Sequence, residues 1–390
     1  MSEYQYIEFR AIDAPVSGQN LEYMHKQSTR AEITPWSFKN EYHYSDFRGN
    51  ALEMLRRGYD VHLHYANFGI RKLMLRLPAG LPDARGAKPY VDGEFLQLHA
   101  DKRGDGATLE IDPGYEPGDL DDLWDLDNWL ARLLGIRAEL IEGDLRPLYL
   151  MRLAIERGNF GESAADEPPV PAGLGRLTSS QAALAEFYGL EPALLAAAAQ
   201  GVPPLPDSSG REVDPQAWLR EQPQARKDAW LAALLSDEHA AVRPQVFKAF
   251  RDAQPKRQWP VAESRRTMDE LTAAAEVIER EQAVKAAKKQ EKQHQARLKK
   301  LAADPDQVLR QVDELVGTFS RQAYEQASKL LVDLREARPD DGAQLAETKA
   351  QALRTKYPTK RALAKALREK GLLGAARPSQ SEAARDKRTR

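Results

Sequence analysis

Asp60-Val61-His62-Leu63-His64-Tyr65-Ala66-Asn67-Phe68-Gly69-Ile70-Arg71-Lys72-Leu73-Met74-Leu75-Arg76-Leu77 is the stretch that decides the fold. Side chains of two kinds alternate on either side of Asn67-Phe68-Gly69, as expected of two half-buried strands joined by a tight turn. Working outward, Tyr4–Ile12 alternates as a strand and Ser17–Ser28 suits a short helix. Ala31–Tyr44 alternates strongly, with Trp36, Phe38, Tyr42 and Tyr44 on one face and Ile33, Ser37, Lys39, Glu41 and His43 on the other. Asn50–Arg57 is a short helical candidate. Phe95–Ala100 and Ala107–Ile111 are further strands across the turn signal Arg103-Gly104-Asp105-Gly106. This order implies an α+β domain, a mostly antiparallel sheet with helices on one face, followed by a mainly α-helical region with a long charged helix.

Pro113–Gly118 breaks the strands, and helices are expected over Asp119–Leu134 and Arg137–Arg157. Asp119, Asp121, Asp122 and Asp125 then fall in the first turns of a helix, where carboxylates are favoured. The spacing lacks the glycine and closing glutamate of a calcium loop. Near Pro171 the composition changes: residues 1–170 hold 19 of the 29 aromatics, and residues 171–390 are rich in Ala, Leu, Lys and Glu. Gln181–Leu195 has helix-turn-helix spacing, but its second helix, Pro192–Ala199, has no side chain to hydrogen-bond a base, so a packed helical hairpin is expected. After the Pro-rich break Gly201–Gly210 come short helices around Trp218, Trp230 and Phe247. One long helix is expected from Val261 to Ala303, then helices over Asp304–Val316, Ser320–Ala337, Gly342–Lys356 and Thr359–Lys370. The expected organisation is a sheet domain over 1–112, helices packed on it over 113–160 and a Pro-rich linker over 161–175. A helical domain over 176–260 comes next, then the long charged helix over 261–303, a helical module over 304–374 and a disordered basic tail over 375–390.

The absence of cysteine excludes disulfides, thiolate zinc sites and a cysteine nucleophile. No apolar run approaches the ~20 residues of a membrane span, and Met1–Tyr6 lacks the features of a secretion signal, so a cytoplasmic protein without membrane partners is expected. The net charge of −2 conceals −10 over residues 1–170 and +8 over the rest.

Asp60, His62 and His64 share one side of their strand. Aligned with Glu41 and His43 on a neighbouring strand, they would make a metal or acid–base site, His62 and His64 as ligands and Glu41, His43 and Asp60 as catalytic groups. On a solvated sheet face the same alternation carries no chemistry. Phosphate loops, nucleophile elbows, zincin motifs and dinucleotide fingerprints are all missing, so no cofactor is expected. Lys285, Lys288, Lys289, Lys292, Arg297, Lys299 and Lys300 make the long helix basic and offer nucleic-acid backbone contacts, without interleaved aromatics for base stacking. A helix polar nearly all round also suits a solvated spacer or coiled-coil arm.

Leu315-Val316-Gly317-Thr318, Ala323-Tyr324-Glu325-Gln326-Ala327, Leu330–Arg335 and Lys360-Arg361-Ala362-Leu363 through Gly371-Leu372 resemble the helical C-terminal region of bacterial SWIM zinc-finger proteins over residues 310–373. The zinc motif of that family needs three cysteines and a histidine, so the resemblance implies a partner-docking helical module and no zinc. The N-terminal half, with Asn40-Glu41-Tyr42-His43-Tyr44-Ser45-Asp46-Phe47, resembles a bacterial family of undescribed activity. Two functional readings fit the chain. The first is an interaction or scaffold protein that binds a protein partner and contacts nucleic acid through its basic helix and tail. The second is a metal-dependent hydrolase or nuclease on the N-terminal sheet.

Overall fold

The computed structural model describes residues 3–43, 45–78, 84–101, 106–158, 165–205, 214–235, 259–264 and 266–374, with isolated positions between 242 and 253. Tyr44, the turn residues Arg103 to Asp105, Phe247 and the tail from Ala375 lie outside the described residues.

The hairpin forms as the sequence suggests. β4 (Val61–Ala66) and β5 (Arg71–Pro78) pair antiparallel, and Gly69 turns between them at φ 114°, a left-handed conformation that favours glycine. Around them assemble β1 (Tyr4–Arg10), β2 (Glu32–Ile33), β3 (Ser37–His43), β6 (Leu96–Ala100) and β7 (Gly106–Ile111). The sheet order is β2-β3-β1-β4-β5-β7-β6, and every ladder is antiparallel.

Strand alternation gives the sheet two apolar faces rather than one. Ile7, Phe9, Phe38, Tyr42 and Met74 bury one face against Met24 of α1 (Gly18–His25) and Met54 and Leu55 of α2 (Ala51–Arg56). The Asn50 side chain starts α2 by accepting from the Glu53 N–H. Tyr6, Leu63, Tyr65, Leu73, Leu75 and Leu109 bury the other face against α4 (Leu126–Glu142) and α5 (Arg146–Gly158), which come after the short α3 (Ala84–Ala87). Helices on a single face were expected. The leucines and Tyr65 of β4 and β5 make one apolar face, and Ile7, Phe9, Phe38 and Tyr42 of β1 and β3 with Met74 make the other, which is the physical reason for two layers.

The aspartates before α4 do not open its first turns. Asp119 accepts from the Glu116 N–H, Asp122 accepts from the Tyr65 hydroxyl, and Asp125 sits at φ 56° just before Leu126. Gly143, at φ 93°, ends α4 and separates it from α5, so the break between the two expected helices falls there and not at Gly135-Ile136. α6 (Ser179–Phe187) begins on a capping box between Thr178 and Gln181, and α7 (Pro192–Ala198) buries Ala193, Ala197 and Ala198, the packed hairpin that the alanine-rich sequence suggests.

The segment read as a linker is tied down where it is described. Glu167 is buried and accepts from the Tyr149 hydroxyl, Ser264 Oγ and Arg266 Nε. β8 (Val170–Pro171) pairs with β9 (Val261–Ala262), which also displaces the start of the long helix. Short α8 (Pro215–Glu221) and α9 (Gln224–Leu234) precede it. The long helix, α10, runs from Met268 to Ala303. The chain divides into two compact units, residues 1–279 and 280–390, so the boundary lies inside α10 and not near Pro171. In the second unit α11 (Pro305–Gly317), α12 (Arg321–Ala337), α13 (Gly342–Lys356) and α14 (Arg361–Glu369) close around Val312, Val316, Leu331, Ala350, Leu353 and Leu367.

Candidate nucleic-acid interface

The sheet does not bring the five acid–base candidates together. β1 lies between β3 and β4, with Tyr6 opposite both Glu41 and Tyr65, and Ile7 opposite both Asn40 and His64. Residues opposite one another share a face, and neighbours along a strand do not. Glu41 and His43 therefore lie on the face opposite to His62 and His64, and both are exposed. Alternation within each strand is visible in sequence, but the parity between two strands depends on the strand inserted between them.

Each of the other three is occupied by the fold. Asp60 is fully buried; its carboxylate accepts from the Ile12 and Asp13 N–H groups at 2.6 and 2.9 Å and pairs with Arg76 at 2.5 Å. Arg137, reaching in from α4, adds a contact at 3.4 Å and forks onto Asp13. His62 donates from Nδ1 to the Glu8 carbonyl at 3.1 Å, and its ring stacks on Phe9 at 3.9 Å. His64 donates from Nε2 to Gln5 Oε1 at 2.9 Å, while the Gln5 amide donates to Asp46. Burial, with the Lys72 cation behind it, lowers the His64 pKa to about 4; burial also holds His62 well below the ordinary histidine value. Both rings are neutral packing elements near neutral pH. Among the described residues, no group of three His, Asp or Glu side chains is placed to hold a metal ion.

The basic helix presents a different geometry. Residues 279–293 of α10 are exposed without exception. At about 100° per residue, Lys288, Lys299, Lys292, Lys285, Lys289 and Lys300 all fall within an arc of about 120°. The stripe runs about 22 Å along the axis. All six are exposed, and Lys288, Lys289, Lys292, Lys299 and Lys300 make no ion pair among the described residues. Lys285 lies 3.5 Å from Glu281, an exposed pair of little energetic weight.

The opposite side of the same helix is what holds it. His294 contacts Glu336 at 2.8 Å, Arg297 pairs with Asp333 at 2.5 Å, Leu298 is buried, and Arg338 donates to the Ala302 carbonyl. This packed side is centred about 180° from the lysines. Arg297, expected beside the lysines, therefore belongs to the packing side, where Asp333 satisfies its charge. Residue type does not distinguish these roles; the angle each residue makes on a continuous helix does. No family model, curated protein or solved structure matches this chain. No helix among the described residues is long and apolar enough to cross a membrane.

Proposed function

We propose that this chain is an interaction protein that grips the phosphate backbone of nucleic acid through the lysine face of α10, without reading sequence. The observation that supports it is the one-sided lysine stripe, exposed and largely unpaired, on a helix whose other side is anchored. Backbone recognition needs cations in a row, and release of condensed counterions supplies the driving force. Lysine suits this task because it is a mobile point charge that does not impose the bidentate geometry of arginine. The surrounding unit helps: residues 280–390 carry a net charge of +11, against −13 for residues 1–279. Base-edge readout is not part of the proposal, because the stripe contains no Asn, Gln or Arg fork aimed outward.

The test is the affinity of the full chain for a duplex DNA of arbitrary sequence, titrated against salt. A steep fall in affinity with salt is expected. Neutralising the six lysines to glutamine should flatten the logarithmic slope by up to about 5, near 0.9 for each phosphate no longer neutralised. A slope unaltered by those substitutions rejects the stripe as the interface.

A protein partner is the second reading, supported on the first unit by Trp124. Its side chain is 83 % exposed between Asp122 and Asp125, and exposed aromatics are the commonest anchors of protein interfaces. Trp124→Ala should abolish co-purification of such a partner with no loss of nucleic-acid affinity; retention of every co-purifying protein would refute this reading.

A further inference from the structure

The second unit carries a pair of aromatic rings, of which Tyr357 packs partly against the core and Phe319 does not. Phe319, between α11 and α12, is 53 % exposed and has φ +57°. Glycine or asparagine would occupy that left-handed position at lower cost, and a polar residue would cost less in water. A bulky apolar ring held there is poorly explained by stability, which makes a functional role the better account. Its ring meets Tyr357, at the end of α13, edge-on at 5.8 Å. Lysines flank the pair: Lys360 Nζ lies 4.5 Å from the centre of the Phe319 ring, and Lys356 Nζ lies 5.5 Å from that of Tyr357. Both lysines are exposed.

We propose that Phe319 and Tyr357 form a stacking platform for unpaired bases of single-stranded nucleic acid, with Lys356 and Lys360 meeting the adjoining phosphates. This deepens the backbone-binding reading above and rests on it. Binding of a single strand combines a cationic track with aromatic faces, because every base has a π-face and every nucleotide a phosphate. The stripe on α10 has cations and no aromatic; this patch supplies the missing component within the same unit. Lys360 covers one face of Phe319 in the free chain. An exposed cation–π contact is weaker than base stacking, and the lysine stem is flexible, so an arriving base displaces the ammonium toward its phosphate.

The experiment compares three probes of equal length with the full chain: an oligothymidylate strand, the same strand without bases, and a duplex. Phe319→Asn is the main variant, since asparagine tolerates the left-handed backbone and keeps the loop folded. Tyr357→Leu, which preserves the half-buried apolar contact, is the second. Each should weaken oligothymidylate binding by about 5- to 150-fold, the range set by loss of one stacked base. Binding of the base-free strand and of the duplex should change less than about twofold. Unaltered oligothymidylate affinity in both variants overturns the platform and leaves the stripe standing. An equal loss across all three probes also overturns it, since only a phosphate interaction is then removed. A variant that loses affinity for poly-glutamate but not for the strand assigns the patch to an acidic protein and overturns the proposal. If the unaltered chain binds none of the nucleic-acid probes even at low salt, the backbone-binding reading fails first, and the platform with it.

Discussion

Asp60 and Lys288 illustrate how the two units use charge. In the first unit, ionised groups are drawn into the interior and satisfied there: Asp60 by Arg76, Arg137 and two backbone N–H groups, Asp144 by Arg146 and Gln181, Glu167 by Arg266, Ser264 and Tyr149. In the second unit, the lysines of α10 are left in water. Buried pairs contribute structural definition and leave no capacity for a ligand, whereas solvated cations contribute little to stability and remain available for binding. The residue type alone does not separate these cases; burial and partner geometry do.

The contrast breaks most readily at Asp60. Asp60→Ala should cost roughly 3–5 kcal/mol, because it leaves the Ile12 and Asp13 N–H donors without an acceptor and takes the carboxylate away from Arg76, while Arg137 keeps Asp13. Urea denaturation monitored by circular dichroism measures it, and a cost below about 1 kcal/mol would show that water reaches the site.

Acid should expose the histidines next. The folded His64 value, about 4, lies below the ordinary 6.5, so the folded state resists protonation. The stabilisation is therefore complete above pH 6.5 and is lost as pH falls toward 4, amounting to roughly 3 kcal/mol for a shift of that size. His64→Gln should reduce the loss of stability across that window, leaving the part that buried His62 contributes, while the carboxylates Glu110 and Glu167, whose values are lowered, act at more acid pH. A pH profile that is unchanged by the substitution would place His64 in contact with solvent.

The second unit should respond less. Arg297→Ala takes a half-exposed cation from the buried Asp333 carboxylate and should cost about 1–3 kcal/mol. Replacing the six stripe lysines by glutamine should change stability by less than about 0.5 kcal/mol. Such a small effect, combined with a large loss of nucleic-acid affinity, is the signature that separates a binding surface from a structural one.

Much of this architecture was legible in the chain. The hairpin around Gly69, the strands of the sheet and the four closing helices arise from periodicity and caps, as with Asp304 and Pro305 at the start of α11. What escaped is what depends on a third element. Glu41 and His43 were separated from His62 and His64 by β1, which local alternation cannot anticipate. Glu167 was concealed by its neighbouring prolines, because its partners Ser264 and Arg266 are nearly a hundred residues away. The lysines and the long helix that carries them were evident; the side on which it packs was not, because Glu336 and Asp333, which hold His294 and Arg297, come from α12. Phe319 left no signal, since a left-handed aromatic looks in sequence like any other loop residue.

The fifteen residues 279–293 have a consequence beyond binding. Their side chains reach no core, so the helix there rests on its own backbone hydrogen bonds, and isolated helical segments of about that length are marginal in water. Its peptide groups open more often than those anchored at Leu271 or Leu298, which makes this span the place along α10 where deuterium enters first and where a lysine-specific protease cuts. A polyanion lying along the lysines would close both routes, so limited digestion of the intact chain reports occupancy of the stripe without any label.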